Sequence, residues 1–151
     1  MGLISWIKGK YYDYRLEIAD NLVLDNKLDK AEEIYKSLLG KHELAIVHLA
    51  DMFVSHSKNV EGKLSALNKI VELRNYSNDQ NKQGYEKCLN EHLNNIESLA
   101  NDRFTSKNYN DAVLLIDAIQ IYRNNDLYYV KKRHRYHAYL AFSKSQQTSV
   151  Y

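Results

Sequence analysis

Few residues in this chain are spaced for chemistry, and those few make only halves of sites. Cys88 and His92 stand four apart, and His134 and His137 three apart. On a helix each pair would face one way and could supply two ligands to a metal ion. Neither has a second pair at matching spacing, so no metal and no cofactor is expected. Glu32 and Glu33 are adjacent, and adjacent helical residues point about 100° apart, so they read as a solvated face and not as an acid/base pair. No Ser-His-Asp order and no Gly-rich phosphate loop is present. The expectation is a protein that is not an enzyme.

The densest chemistry is near the end of the chain. Lys131, Lys132, Arg133 and Arg135 are interleaved with Tyr128, Tyr129, His134, Tyr136, His137 and Tyr139. Cations mixed with aromatics can hold phosphates and stack bases, or lie on an anionic surface. The plainer reading is a terminal helix whose Tyr129, Tyr136 and Leu140 face inward while its cations stay in water.

These residues need elements to carry them. The chain of 151 residues is long enough for one domain with a sizeable core. Its 44% hydrophobic and 26% charged content sets it apart from disordered and membrane chains. Pro is absent and Gly scarce, so Asn takes the role of punctuation, at Asn26, Asn59, Asn75, Asn78, Asn108 and Asn124. Asn tolerates the left-handed backbone that ends helices. One cysteine excludes an internal disulfide. Leu3, Ile4, Trp6 and Ile7 form an apolar patch followed by Lys8 and Lys10, which is the wrong order and too short for a secretory signal. Trp6 also stands where a myristoylation start needs Ser or Thr. No run approaches the roughly 20 apolar residues of a membrane span. The expected location is cytoplasmic. Charge is uneven: residues 1–126 carry 16 basic and 19 acidic side chains, and residues 127–151 carry five basic and none acidic.

Apolar residues recur at helical spacing almost throughout. Seven helices are expected, over about Lys10 to Asp25, Asp29 to Leu39, His42 to His56, Val60 to Arg74, Asp79 to Phe104, Asn110 to Tyr122 and Asp126 to Phe142. Tyr11, Tyr14, Ile18, Leu22 and Val23 are the expected inward stripe of the first. Two stretches share one layout. Ala19 is followed twelve residues on by Ala31, with Leu28 three before the second Ala and Tyr35 four after it. Ala100, Ala112, Tyr109 and Ile116 repeat this. Such a pattern is a helix–turn–helix repeat, with small residues where two backbones approach.

At Ala19, Leu28, Ala31, Tyr35 and Leu38, and again at Leu99, Ala100, Tyr109, Ala112, Ile116 and Ile119, the chain resembles tetratricopeptide repeats. The resemblance implies an all-α fold of antiparallel hairpins, stacked as a short right-handed solenoid in a single domain over residues 1–151. The repeats would be 10–39, a divergent 42–75, and 79–123 with a long first helix, closed by a basic capping helix over 126–144. It also implies a peptide groove lined by Asp20, Asp51 and Asn101 in one row and Leu16, Val47 and Glu97 in another. Val23, Val54 and Phe104 would lie a turn further on.

The expected function is a scaffold that binds a protein or an extended peptide. The acidic row would favour neutral or basic peptides. Some relatives grip acidic tails with a Lys three before the small residue and an Asn after it. Here only Asn101 fits, so that clamp is not expected. The alternative is nucleic acid or an anionic surface bound by Lys131, Lys132, Arg133 and Arg135.

Overall fold

The computed structural model describes residues 2–148, the side chain of Thr148 excepted. Among these residues there are seven α-helices and no strand. They are α1 (Leu3–Leu24), α2 (Leu28–Leu38), α3 (Ala45–Ser55), α4 (Val60–Glu72), α5 (Lys82–Thr105), α6 (Tyr109–Tyr122) and α7 (Leu127–Thr148), with a 3-10 turn at Leu73–Tyr76 after α4. The chain falls into two compact units. The first comprises residues 1–57 and 68–90, the second residues 58–67 and 91–151, so one boundary lies in the turn before α4 and the other two within α4 and α5.

The two turns of the shared layout have the same backbone. At the α1–α2 turn Asn26 takes a left-handed φ of 59°, and at the α5–α6 turn Lys107 takes 65°. Lys27 N–H donates to the Leu22 carbonyl at 2.8 Å, and Asn108 N–H to the Arg103 carbonyl at 2.8 Å. The next bonds inward also match, Asn26 to Val23 at 3.0 Å and Lys107 to Phe104 at 3.1 Å. This is one helix-ending motif used twice, with the same orphan carbonyls satisfied. Ala19, Ala31, Ala100 and Ala112 are all fully buried, as positions of close helix approach require.

Asn punctuates mostly in another way than expected. Only Asn26 uses the left-handed region. Asn59, Asn78 and Asn108 act as side-chain caps, accepting from the N–H groups of Gly62 at 2.6 Å, Asn81 at 3.1 Å and Asp111 at 3.4 Å. Asn81 returns the bond at Asn78, whose N–H donates to its Oδ1 at 2.8 Å. These bonds satisfy the first free donors of a helix.

In the first unit, α1 packs on α2 and α2 on α3. Its core includes Leu16, Tyr35, Leu38, Ile46, Leu49, Ile70 and Tyr85. The Tyr85 hydroxyl donates to the Ile70 carbonyl at 2.7 Å, which removes the cost of burying it. Gly84, a weak point by helix propensity, packs closely: a Cβ there would lie 3.0 Å from Val47 Cγ2, so that side chain would have to shift by a few tenths of an ångström. The expected inward stripe of α1 is corrected in its first half, whereas Ile18, Leu22 and Val23 are half-buried. Tyr11 and Tyr14 are exposed, and Leu16 and Ala19 point inward. The helix starts at Leu3 and carries apolar residues on two sides, so periodicity alone could not tell which side is covered.

In the second unit, α7 packs on α6. Tyr129 and Tyr136 are buried as expected, and Leu140 is half-buried. The cations of α7 do not all stay in water, which corrects the plainer reading of this helix. Lys132 Nζ lies 3.0 Å from Glu97 Oε2, and Arg133 Nε 2.8 Å from Asp117 Oδ1. Here α7 reaches α5 as well as α6.

Candidate functional site

Tyr128, Lys131, Lys132 and Arg135 are spaced i, i+3, i+4 and i+7, so they share one face of α7. Asn101, Phe104 and Thr105 are spaced i, i+3 and i+4 near the end of α5. These two faces line a cleft of about 370 Å³ in the second unit, with Tyr136 as its remaining wall. Two of the expected groove residues, Asn101 and Phe104, and three of the expected basic residues, Lys131, Lys132 and Arg135, meet in one place. Arg133 does not join them, because it turns to Asp117.

The cleft is built on a stack. Phe104 and Tyr136 lie ring on ring, 4.3 Å apart at 7°, with Tyr139 edge-on to Phe104 at 4.9 Å. Such pairs add about 0.5–1.5 kcal/mol beyond burial. The Tyr136 hydroxyl donates to Asn101 Oδ1 at 2.7 Å, which fixes the amide. Arg135 lies over the Phe104 ring at 4.9 Å, a contact that orients a cation without neutralising it.

Charge in the cleft is unequal. Lys132 Nζ touches Glu97 and, at 3.1 Å, the Tyr128 hydroxyl. Burial pushes the Glu97 carboxyl up, but the Lys132 ammonium and the Tyr128 and Tyr129 hydroxyls outweigh it and hold it below the usual range. Burial likewise disfavours the Lys132 charge, and Tyr128 and Glu97 outweigh it and hold the ammonium above its ordinary value. This pair cancels itself. Among the described residues, Lys131 and Arg135 have no acidic partner, so the cleft presents two uncompensated positive charges beside a fixed amide.

The other expected groove positions do not line this cleft. Glu97 is taken by Lys132 and by the Tyr129 hydroxyl at 3.1 Å. In the first unit, Leu16 and Val54 are buried, Val23 and Val47 are half-buried, and Asp51 is exposed. Asp20 is already engaged: its Oδ1 accepts from the Tyr35 hydroxyl at 2.5 Å and lies 2.8 Å from His48 Nδ1. Burial, with Asp20 next, pushes the Tyr35 hydroxyl far up, so it stays a donor.

Three of the four half-site residues find protein partners. Cys88 is buried with Sγ 3.9 Å from the Val47 carbonyl. His92 is fully buried, with Nε2 2.8 Å from the Lys63 carbonyl. His137 faces Asp117 at 2.8 Å. Glu32 pairs with Lys36 at 3.1 Å. Among the described residues no group of three His, Cys, Asp or Glu could hold a metal ion, and no helix is long and apolar enough to cross a membrane.

Reading the sequence alone missed Thr105 as a cleft residue and named Tyr128 only as one of the aromatics interleaved with the basic residues. The i, i+3, i+4, i+7 spacing on α7 could have found Tyr128. It missed too that the cations beside Asn101 come from a different helix, about 30 residues on. Compared with family models, with curated proteins and with solved structures, the chain matches none.

Proposed function

We propose that this chain is a non-enzymatic protein-binding scaffold, a short right-handed array of tetratricopeptide-like hairpins, and that its second unit takes an extended acidic peptide segment. The observation that carries this reading is the cleft with Lys131 and Arg135 uncompensated beside Asn101. A carboxylate can accept from ammonium and guanidinium donors at once, and the amide fixes where the chain lies. A volume of about 370 Å³ suits a few side chains. The doubly bonded Asp20 argues against a groove chosen by its acidic row.

Labelled acidic, basic and apolar peptides in fluorescence anisotropy test this. The acidic peptide should bind best, and Lys131→Glu with Arg135→Glu should weaken it at least about tenfold through charge reversal. Preference for the basic peptide, or an unaffected double variant, would sink the proposal. The exposed ring of Tyr128 (56%) beside Lys131 favours single-stranded nucleic acid as the second reading. However, the Phe104 and Tyr136 faces are spent on each other, which leaves one ring for bases. A single-stranded RNA probe in the same assay decides between them.

A further inference from the structure

Among the described residues nothing covers the first turns of α1. Every residue from Gly2 to Tyr11 is exposed, including Leu3 at 70%, Ile4 at 72%, Trp6 at 62% and Ile7 at 51%. Ile4, Ile7, Tyr11 and Tyr14 step by three, four and three, so they form one stripe. At 100° per residue this stripe is centred about 130° around the helix from Leu16 and Ala19, the two residues α1 buries. Only further along the helix do residues in line with it, Ile18 and Leu22, become half-buried. A run of this size left in water marks a surface meant for something.

The charges around it say what. Lys8 and Lys10 flank the stripe, and no Asp or Glu occurs from Gly2 to Tyr12. Lys41, from the loop after α2, joins Lys8, Ile4 and Tyr12 around a shallow depression. Among the described residues none of these three lysines has an acidic partner, and Lys10 lies over the Trp6 ring at 5.8 Å. A second copy of the chain is a poor occupant. Parallel pairing along the stripe brings Lys10 toward Arg15, and antiparallel pairing centred between Ile7 and Tyr11 brings Lys8 to Lys8 and Lys10 to Lys10. An anionic bilayer surface suits every part. Aliphatic side chains enter the acyl boundary, Trp and Tyr rest at headgroup depth, and lysines meet the phosphates.

We infer that the exposed N-terminal half of α1, with Lys41, is a docking surface for an anionic lipid bilayer, on which the helix lies flat with Ile4, Ile7, Tyr11 and Tyr14 facing the membrane. This is independent of the cleft in the second unit.

Trp6 is the chain's one tryptophan, so its fluorescence reads this surface alone. With vesicles of phosphatidylcholine and phosphatidylserine, Trp6 emission should shift to the blue and be quenched by brominated acyl chains. Phosphatidylcholine alone should give little change. Lys8→Gln with Lys10→Gln should lower vesicle affinity about 25-fold, near fivefold per lysine. Ile7→Glu should abolish the shift with unchanged circular dichroism, since the position is exposed. Lys131→Glu with Arg135→Glu should leave vesicle binding intact. The inference is overturned by an unshifted Trp6 on anionic vesicles, by equal binding to neutral ones, or by binding lost only in the α7 variant. It also fails if sedimentation without vesicles shows a dimer that already shields Trp6, because a second copy would then be the occupant.

Discussion

At the residue scale, the smallest side chains set the geometry. Ala31 and Ala112 have no exposed surface, and each stands in the helix that follows one of the two matching turns. Ala31→Leu and Ala112→Leu should each destabilise the fold by roughly 1–3 kcal/mol through overpacking, read as a lower urea midpoint at unchanged slope. A pair of variants as stable as the parent would remove the repeat assignment. His92 makes a second case. Burial holds it below the usual histidine range, against the opposing bond to the Lys63 carbonyl, and its Nδ1 has no hydrogen-bond partner among the described residues. Between the depressed folded pKa and the unfolded value near 6.5, the unfolded chain binds more protons. Stability is therefore full above about pH 6.5 and falls as the pH drops toward the folded value. Urea midpoints at neutral and mildly acid pH should show this decline, and His92→Gln should flatten it. An equally steep decline in the variant would mean that another group is responsible.

At the scale of elements, α7 is fastened by an aromatic stack and an ion pair. Tyr136 is 2% exposed, so Tyr136→Ala should cost about 3 kcal/mol. The Glu97–Lys132 pair contributes in one pH range. Because the Glu97 carboxyl is held below its usual value, its contribution is present above the unfolded pKa near 4.3 and is lost as pH falls through the folded one. Lys132→Met should cost about 1–2 kcal/mol near neutrality, and the gap to the parent should close in acid. A gap that persists below that range would assign the loss to packing of the lysine stem. Deleting Leu127 to Tyr151 removes the cover from part of α6, whose Val113, Leu115, Ile116 and Ile119 are buried. The truncated chain should self-associate, and sedimentation showing a helical monomer would count against docking of α7.

At the scale of the whole molecule, charge is segregated. The five basic residues of 127–151 face no acidic residue within their own segment, yet two of them are neutralised by Glu97 and Asp117. Among the described residues, Lys131 and Arg135 are the cleft cations without an acidic partner. Single-stranded RNA held there would contact about two phosphates, so log affinity against log salt should have a slope near −1.4. A slope several times steeper would mean that more of the basic segment binds, and the cleft would not be the site.

What the sequence determined by itself is local. The seven helices, the turns around Asn26 and Lys107 and the paired alanines follow from spacing and residue type within a few tens of residues, and each can be read along the chain. Helix ends were less legible, because His42 to Leu44 and Asp79 to Asn81 carry helical spacing but lie in turns stabilised by side chains, such as the bond from Asn81 Nδ2 to the Glu43 carbonyl at 3.1 Å. Tertiary structure alone decided which face of each helix is covered and which charges survive. Asp20 and Glu97 read as open groove carboxylates until Tyr35 and His48, and Lys132 and Tyr129, arrive from 15 to 35 residues away. The physical reason is that periodicity records that a face is apolar or charged, whereas its partner is set by packing between distant segments. On α1, where two apolar faces compete, only packing shows that Leu16 and Ala19 are covered and that Ile4, Ile7, Tyr11 and Tyr14 are left to meet something else.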